Sequence, residues 1–583
     1  MLYPQSNKFR TTLNLNGIWE YKTVADDYIP IKKADKTSPM AVPSSINDIV
    51  TDKKIADYVG KVLFETEFSL PVSKSENYRL RIGAASHKCE VYLNGEKIGE
   101  GINGFIPVDL PLKNLKENNR LSVIVDNRLT NHTLPMGAVE PDGKFCVTTT
   151  SGPYTLDVSD KFSGEKQIIK FDFYNFTGIH RDVIVYSVPK NNIEDVIIKT
   201  VVDGDYRKIS VETKTEGKIV RYTVYDGERI VASSKTGDIT IENPVLWSCE
   251  NPHLYTLLAE TENDCYRQRF GIRKVSFDKN GLYLNDKPVY LKGFGKHEDF
   301  NISGKGNNSA VNVRDFELLK WINANSVRTS HYPYAEEILD LADRYGIMVI
   351  DECPAAGVGF WSGFTFGKGR AGDDLLKLHK QVVSSVIERD KNHPSVIMLS
   401  VANETATYEE KAMEYYREVI THAKKLTDLP ITIVESTKAS EPNYCADLVD
   451  IMCLNRYYGW YDEFANLNAV EWLYKDEFEK YHDRYGKPII LTEFGAEALS
   501  GFHSLTAEAF SEEYQKALIE KTCDVIDEIP YVIGEHVWNF ADFKTREGVL
   551  RPGGNRKGVF TKDRQPKLSA YYLRERWQNK IEK

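Results

Sequence analysis

The chain has 583 residues, of which 41% are hydrophobic and 27% charged, and its formal net charge is −10. This is the composition of a soluble globular protein, and at roughly 150 residues per domain the length predicts three or four units, or fewer if one is a large barrel. The net negative charge and the lack of a long basic run argue against nucleic acid as a partner. The sequence contains no run of about eighteen apolar residues, so it predicts no membrane-spanning helix.

The N-terminal segment MLYPQSNKFRTTLNLNG contains no apolar core of the length that a signal peptide needs. The eight cysteines are scattered, with neither a Cys-x-x-Cys pair nor the spacing of metal ligands. We therefore expect reduced, mostly buried thiols in a cytoplasmic protein.

Residues 1–189 are rich in alternating, β-branched and aromatic runs that turn signals separate. The clearest predicted strands are YRLRIGA, CEVYLNGEKIGE, LSVIVDNRL and RDVIVYSV, and Asn94-Gly95 is a strong two-residue hairpin signal. Because helical periodicity is scarce up to about residue 277, we expect an all-β sandwich in this first unit.

Residues 190–277 carry a second set of predicted strands, which include EDVIIKTVV, YRKISVETK, KIVRYTVYDGERIVASS and HLYTLLAE. Their spacing is typical of a small sandwich of immunoglobulin type. We expect this unit to close with RQRFGIRKVSF, near Phe277.

From residue 278 to residue 583 short apolar runs alternate with amphipathic helical stretches, a pattern typical of βα units and a parallel sheet. Eight strands in about 300 residues predict a (β/α)8 barrel, in which the active site lies at the carboxyl ends of the strands. The predicted strands are VYLKGFG, SVRTSHY, IMVIDE, VIMLSVANE, ITIVES, IMCLNRYY, IILTEFG and YVIGEHVWNF.

Two glutamates end strands that face each other across such a barrel. Glu404 follows the fourth predicted strand and Glu493 ends the seventh. Paired carboxylates across a cleft are the usual equipment for cleavage of a glycosidic bond. One such carboxylate alone could equally be a salt-bridged residue of the rim, but two on opposite strands favour catalysis. Metal catalysis is the competing interpretation, yet the sequence has no His-Glu-x-x-His motif and no histidine pair at i,i+4 spacing on a helix.

Several segments resemble glycoside hydrolase family 2, in the order in which that family has them and over nearly the whole chain. Within the family, the subgroup that the chain most resembles is the bacterial β-glucuronidases. The resemblance implies a jelly-roll domain of sugar-binding type, an immunoglobulin-like domain and a catalytic (β/α)8 barrel. The segments are RDKNHPSVIMLSVANE, FYNFTGIHRDV, LWSCENPHLY, FGIRKV, GFGKHEDF, RTSHYPYAEEILDLADRYGIMVIDE, NRYYGWY, TEFG and VWNFADF.

The resemblance implies roles for the strand-end residues. Glu404 would be the general acid that later becomes the base, so its pKa should be raised by apolar surroundings and by the neighbouring carboxylate. Glu493 would be the nucleophile, with Tyr457 in support, and Asn403 would bind the sugar 2-hydroxyl.

Three further residues match family positions in the sugar site. His331 and Asp172 would contact the distal hydroxyls. Alternatively, Asp172 could be a buried structural residue beside Arg181. Trp538 would form the hydrophobic platform beneath the pyranose ring.

The stretch RPGGNRKGVF holds the Asn-x-Lys motif by which β-glucuronidases recognise the C6 carboxylate, with Asn555 and Lys557 in the two positions. A uronic acid differs from a neutral hexose by one anionic group, and only charge-assisted hydrogen bonds to that group can discriminate the two. Arg551 can contribute the N–H donors of its planar guanidinium, and Tyr461 can contribute its hydroxyl. Taken alone the stretch is an ordinary surface turn, but its place in the last βα connection of such a barrel favours binding.

These features together predict a retaining exo-β-glucuronidase without a metal or organic cofactor. Its substrates would be small-molecule glucuronides or uronic-acid-terminated oligosaccharides, and family analogy favours a homo-oligomer, with a tetramer as one form. A β-galacturonidase or a dual-specificity uronidase of the same family remains open, as does a non-catalytic carbohydrate-binding protein. A substrate panel with β-glucuronide, galacturonide and neutral glycosides separates these possibilities.

Two features depart from the family pattern or vary within it. Leu399 stands where family members usually have Trp. We expect this difference to affect the packing of a buried barrel layer rather than the chemistry of the site. The rim loop, residues 357–374, is expected to shape access for the aglycone and to tolerate varied leaving groups.

Overall fold

The structure is a computed structural model. It describes residues 2–70, 77–142, 144–149, 152–161, 164–359 and 364–580, and for residues 144–149, 152–155 and 160 it describes the backbone alone. The chain forms two antiparallel β-sandwiches followed by a closed barrel of eight parallel strands, which confirms the predicted fold class.

The first sandwich packs a six-stranded sheet, of order β3-β2-β4-β10-β7-β8, against a four-stranded sheet, β1-β16-β5-β9. Buried Trp19, Phe64, Leu80 and Val123 lie in the core between them. The predicted hairpin is confirmed: Asn94 and Gly95 both have positive φ, 53° and 91°, between β7 and β8. The elements are β1 (Thr12–Asn14), β2 (Gly17–Val24), β3 (Ser38–Val42), α1 (Ile46–Ile49), α2 (Lys53–Ala56), β4 (Lys61–Ser69), β5 (Asn77–Ile82), β6 (Ala85–Ser86), β7 (Lys88–Leu93), β8 (Glu96–Gly101), β9 (Val108–Leu112), β10 (Asn118–Asp126), β11 (Gly137–Pro141), β12 (Lys144–Thr149), β13 (Gly152–Asp157), β14 (Glu165–Ile169), β15 (Gly178–Ile179) and β16 (Val183–Val188).

The second sandwich is smaller and packs a three-stranded sheet, β17-β18-β21, against a four-stranded sheet, β20-β19-β22-β23. Its core includes Val196, Val224, Tyr255 and Phe270. A short sheet of β24, β25 and β26 then leads into the barrel. The elements are β17 (Ile193–Val202), β18 (Asp205–Thr215), β19 (Ile219–Asp226), β20 (Arg229–Ser234), β21 (Asp238–Thr240), β22 (Tyr255–Thr261), β23 (Cys265–Phe270), β24 (Val275–Asp278), β25 (Gly281–Leu284) and β26 (Lys287–Pro288).

The barrel closes by parallel pairing of β27 with β34, and all eight predicted strands are confirmed. Apart from Lys292 in β27, the strand residues are buried, which explains continuous apolar runs such as VIMLSVAN. The elements are β27 (Leu291–Gly295), α3 (Ser309–Trp321), β28 (Ser326–Arg328), α4 (Glu336–Tyr345), β29 (Met348–Glu352), α5 (Asp373–Asp390), β30 (Val396–Asn403), α6 (Glu410–Lys424), β31 (Ile431–Glu435), β32 (Met452–Asn455), α7 (Leu467–Tyr485), β33 (Ile489–Glu493), α8 (Glu512–Asp527), β34 (Val532–Val537) and α9 (Leu568–Asn579).

Leu399 is 3% exposed on β30, so it occupies a buried layer as expected. It also borders a cavity of about 380 Å³ between the base of the barrel and the second sandwich, which Phe270 and Val386 line as well. Leu399 therefore borders this cavity at a position four residues before Asn403, the last residue of β30.

Part of the rim loop, residues 360–363, lies outside the described residues. After the gap, the backbone N–H of Thr365 donates to both carboxylate oxygens of Glu409, at 2.7 and 2.9 Å. Asn131 of the first sandwich donates to the carbonyl of Gly369 at 2.9 Å, which joins the loop to that sandwich.

Within the described ranges, no helix has both the length and the apolar character that crossing a membrane requires.

Candidate active site

The two glutamates stand at the carboxyl ends of β30 and β33. Glu404 follows the last residue of β30 with φ 47°, in the left-handed region that a non-glycine residue seldom adopts. Its Oε1 accepts a hydrogen bond from Nδ2 of Asn455 at 2.9 Å. Strained backbone of this kind clusters at functional sites, where the surrounding structure holds it in place.

The surroundings of Glu404 favour its protonated form. Burial, and after it the negative charge of Glu493, raise the pKa of Glu404 from 4.5 to about 7, while the bond from Asn455 opposes the rise. These are the two causes expected from the sequence. A carboxyl group in this state can donate a proton near neutral pH.

Glu493 has two strong donors, one on each carboxylate oxygen. The hydroxyl of Tyr457 donates to Oε2 at 2.6 Å, and Nη2 of Arg328 donates to Oε1. Burial and the charge of Glu493 raise the pKa of Tyr457 well above its usual range, so the tyrosine stays a hydrogen-bond donor. Charge-assisted bonds of this kind fix a carboxylate in one orientation, as a nucleophile requires.

Arg328 is the centre of a buried network that the sequence did not reveal. Its Nη1 donates to both oxygens of Glu352 at 3.0 Å, and Nδ1 of His331 lies 2.9 Å from Oε1 of Glu352. Although burial opposes it, the positive charge of Arg328 and the contact with His331 lower the pKa of Glu352. The guanidinium thus bonds two carboxylates at once, those of Glu352 and Glu493.

Aromatic side chains wall the cleft beside the acid pair. Trp538 stacks on His331 with ring centroids 5.0 Å apart and an interplanar angle of 18°. Phe173, from the segment after β14, lies 5.9 Å from the His331 ring, so the first sandwich contributes to this wall. Oδ1 of Asn403 is 3.3 Å from Nδ2 of Asn455, which places its amide next to Glu404.

The segment that contains Asn555 and Lys557 is held rigidly, despite its glycines. Asn555 and Phe543 exchange two backbone hydrogen bonds, at 2.9 and 3.2 Å. Oδ1 of Asn555 accepts from the backbone N–H of Lys557 at 3.0 Å, and both side chains are 1% exposed. Gly554 has φ 104°, and a Cβ there would lie 2.5 Å from the carbonyl oxygen of Phe543.

Lys557 points into a set of polar and aromatic groups. Its ammonium donates to the hydroxyl of Tyr461 at 2.7 Å and to Oε1 of Glu497 at 3.3 Å. Arg551 donates to the same two acceptors, at 2.7 Å to Oε1 of Glu497. We call Tyr461, Arg551, Asn555 and Lys557 the cationic clamp.

Asp172 of the first sandwich reaches the cationic clamp. Nε of Arg551 donates to both of its carboxylate oxygens, at 3.2 and 3.0 Å, and Nδ2 of Asn555 donates to Oδ2 at 2.9 Å. Arg181, the alternative partner, instead pairs with Glu298 at 3.1 Å. Asp172 therefore lies at the clamp end of the cleft.

The clamp adjoins the acid pair through Tyr457. The Lys557 ammonium is 5.6 Å from the ring centroid of Tyr457, whose hydroxyl bonds Glu493. The rings of Tyr457 and Tyr461 are in edge contact, with centroids 5.0 Å apart. One tyrosine thus contacts both groups, with the Lys557 ammonium over its ring and the Glu493 carboxylate at its hydroxyl.

The described residues bring possible metal ligands together at Asp340, Asp343 and His393, whose ligand atoms lie within 4.8 Å of one another. Nδ1 of His393 is 2.6 Å from Asp343, and Arg269 pairs with Asp340 at 2.7 Å. His393 precedes β30, so this group lies at the opposite end of the barrel from the acid pair.

The structure brings every sequence-predicted site residue to one end of the barrel, in two adjoining groups. Sequence reasoning gave no role in the site to Arg328, Glu352, Asn455 and Glu497. The first three stand at strand ends within the segments RTSHY, IMVIDE and NRYYGWY, so their position was a usable signal. Glu497 follows β33 by four residues and gave no signal of its own.

The sequence profile of the glycosyl hydrolases family 2 TIM barrel domain matches residues 275–581. A second family 2 profile matches residues 181–273. The chain belongs to glycosyl hydrolase family 2. Family membership and the paired carboxylates together make it a glycoside hydrolase.

Relatives in family 2 match this chain over its whole length. The β-glucuronidase of Paenibacillus borealis is 40% identical, and the alignment covers 99% of this chain and 98% of the relative. The β-glucuronidase of Homo sapiens is 36% identical, with 99% and 92% covered.

Solved structures from family 2 superpose closely. The β-D-glucuronidase of Dictyoglomus thermophilum is 42% identical, with a TM-score of 0.92 over 100% of this chain and 99% of the other. The β-glucuronidase of Ruminococcus gnavus in complex with uronic isofagomine is 36% identical, with a TM-score of 0.90 over 99% of each chain.

Proposed function

We propose that the protein is a retaining exo-β-glucuronidase, which hydrolyses β-D-glucuronides to D-glucuronic acid and an aglycone. The single observation that carries the proposal is the distance of 5.6 Å between the Lys557 ammonium and the ring of Tyr457, the residue that bonds Glu493. A sugar whose anomeric carbon faces Glu493 would then have its far end within reach of the buried Lys557 ammonium.

Recognition of the sugar carboxylate rests on the cationic clamp. An ammonium has three N–H donors, and two of those on Lys557 are directed at Tyr461 and Glu497, which leaves one for a ligand. The Asn555 amide and the Arg551 fork supply further donors. A neutral sugar would leave these polar groups without an anionic partner, which is an effective way to reject an analogue.

In the first chemical step, Glu404 would give its proton to the glycosidic oxygen while Glu493 attacks the anomeric carbon. The bond from that carbon to the aglycone oxygen breaks, the aglycone leaves as an alcohol, and a covalent glycosyl-enzyme forms. In the second step, the Glu404 carboxylate takes a proton from water, whose oxygen attacks the anomeric carbon and releases Glu493.

Further residues would position the sugar. Trp538 would lie beneath the pyranose ring, and Asn403 beside Glu404 would bind the 2-hydroxyl. His331 and Asp172 would contact the distal hydroxyls, and the pairing of Asp172 with Arg551 supports a place at that end of the ring.

The relatives support this proposal independently of the geometry. The relatives described above, which match this chain over nearly its whole length, carry the name β-glucuronidase, and one is described in complex with uronic isofagomine.

Turnover of p-nitrophenyl β-D-glucuronide, galacturonide, glucoside, galactoside and mannoside tests the proposal. We expect the glucuronide to have the highest kcat/KM. Proton NMR should show the β-anomer of D-glucuronic acid as the first product. Faster turnover of a neutral glycoside would refute the specificity, preference for the galacturonide would make the enzyme a galacturonidase, and a first-formed α-anomer would refute retention.

A further inference from the structure

A buried carboxylate stands among the cations of the clamp. Glu497 is 1% exposed, and its Oε1 accepts from Nη1 of Arg551 at 2.7 Å and from Nζ of Lys557 at 3.3 Å. Because a single oxygen is the shared acceptor, the position of that oxygen fixes the spacing between the two cationic groups.

The charges around the clamp form a balanced set. The positive charges of Lys557 and Arg551 face the carboxylates of Glu497 and Asp172. The two carboxylates differ in their freedom to move: the Asp172 side chain is 45% exposed and comes from the first sandwich, whereas Glu497 is enclosed in the barrel. The more exposed Asp172 can exchange its bond to Arg551 for a contact with the sugar, whereas Glu497 is enclosed.

We propose that Glu497 is the positioning residue of the clamp. Its buried carboxylate holds the Lys557 ammonium and the Arg551 guanidinium at one spacing for the sugar carboxylate. This inference rests on the proposed glucuronidase function and adds to it the residue that sets uronate affinity.

The role requires a carboxylate rather than any polar group of the same shape. A glutamine would keep one acceptor oxygen but lose the charge that pairs with the two cations. The other oxygen of Glu497, Oε2, has no hydrogen-bond partner in the described part of the chain and is buried. The amide NH₂ of a glutamine would either be buried there without an acceptor or turn toward the two cations, and both arrangements loosen the fork.

Steady-state kinetics of Glu497→Gln on p-nitrophenyl β-D-glucuronide and p-nitrophenyl β-D-glucoside tests the inference. We expect KM for the glucuronide to rise roughly tenfold or more, because charge-assisted contacts are weakened. We expect kcat to change less than about twofold, since Glu493 and its donors are untouched. The kcat/KM for the glucoside should not change, because that sugar presents no carboxylate.

The chain offers a matched control in Glu512. This glutamate is also buried, but it accepts from the backbone N–H groups of Gly501 and Leu568 at 2.8 and 2.7 Å and has no contact with the clamp. Glu512→Gln makes the same chemical change and should leave the glucuronide KM unchanged. If Glu497→Gln does not fold, Glu497→Asp serves instead, because it keeps the negative charge but shortens the side chain by one methylene. We expect it to raise the KM for the glucuronide without lowering kcat.

The outcomes separate this inference from the proposed function. An unchanged glucuronide KM in a folded Glu497 variant, or an equal loss on the glucoside, would overturn the positioning role. A wild-type enzyme that does not hydrolyse the glucuronide would instead overturn the proposed function, whatever the variants do.

Discussion

Two carboxyl groups of the same chemical type stand in different surroundings at the mouth of the barrel. Glu404 is partly shielded from water and has one neutral amide donor, from Asn455. Glu493 has a guanidinium and a phenol as donors. Such a difference supports the proposed roles, in which Glu404 transfers the proton and Glu493 attacks, because only a protonated group can act as the acid.

The pH dependence of the reaction should follow Glu404. Its pKa is raised from 4.5 to about 7, and the acid must be protonated for the aglycone to leave. We therefore expect kcat/KM for a glucuronide with a poor leaving group to be retained below pH 7 and to fall as the pH rises through about 7. A pH profile of p-nitrophenyl and methyl glucuronides would show it, with the fall steeper for the methyl glycoside. A flat profile between pH 6 and 9 for the methyl glycoside would contradict the assignment.

Arg328 should prove as important to turnover as the glutamate that it holds. Arg328→Lys keeps the charge but cannot bridge Glu352 and Glu493 as the guanidinium does. We expect kcat to fall roughly a hundredfold, because the nucleophile loses a charge-assisted donor. Circular dichroism would verify the fold.

Arg389 provides the control for that substitution. It is equally buried and bonds both oxygens of Asp390 at 2.7 Å, but it lies at the end of α5, away from the acid pair. Arg389→Lys should cost stability and leave kcat nearly unchanged. Equal effects of the two substitutions on kcat would show that the role of Arg328 is only structural.

At the scale of elements, the strand ends of the barrel were largely predictable. Buried parallel strands give continuous apolar runs, and the polar residues that follow them must meet on one face. That argument placed Glu404, Glu493 and Trp538 correctly before any contact was known. It could not place Glu497, because a loop position carries no periodic signal.

The pairing of Asp172 with Arg551 was beyond sequence reasoning. These residues are 379 positions apart in the chain and belong to the first sandwich and to the last barrel connection. Their contact depends on how the first sandwich packs on the barrel. The sequence pattern of neither unit indicates that packing. The sequence predicted cations for a sugar carboxylate, but the counter-ions that pair with those cations were visible only in the structure.

The turn before Asn555 should depend on one glycine. Gly554 has φ 104°, and a Cβ would lie 2.5 Å from the Phe543 carbonyl oxygen, so Gly554→Ala must shift the backbone that carries Asn555. We expect roughly a tenfold or greater loss of kcat/KM on the glucuronide, with a folded barrel.

Gly548→Ala, in the same connection, is the matched control. A Cβ at Gly548 meets nothing within 4 Å, so activity should be unchanged. Kinetics and near-ultraviolet circular dichroism of both variants test the claim. Full activity in Gly554→Ala would show that the turn is not a rigid support of the clamp.

At the scale of the whole molecule, a buried ion pair ties the first sandwich to the barrel. Arg181 pairs with Glu298 at 3.1 Å and donates to the carbonyl oxygens of Phe105 and Pro333 at 3.0 and 2.7 Å. Phe105 belongs to the first sandwich and Pro333 to the barrel. The same sandwich supplies Asp172 to the cleft, so this contact bears on function as well as on stability.

Arg181→Gln should destabilise the protein by about 3 to 5 kcal/mol, because it leaves Glu298 buried without its partner. Although burial opposes it, Arg181 lowers the pKa of Glu298, so the stability that the pair provides is present above the usual glutamate pKa of 4.5 and is lost as the pH falls below it. The drop in melting temperature should therefore be larger at pH 7.5 than at pH 4.5. Arg221→Gln, which removes an exposed pair with Glu260, should have little effect at either pH.

The central claim is that a uronate carboxylate binds the cationic clamp while the anomeric carbon faces Glu493. A crystal structure with bound D-glucuronic acid tests it most directly. We predict that the carboxylate oxygens lie within hydrogen-bonding distance of Lys557 Nζ and Asn555 Nδ2, and that C1 lies beside Glu493. A sugar bound with its carboxylate toward solvent, and its neutral hydroxyls at Lys557, would contradict the account.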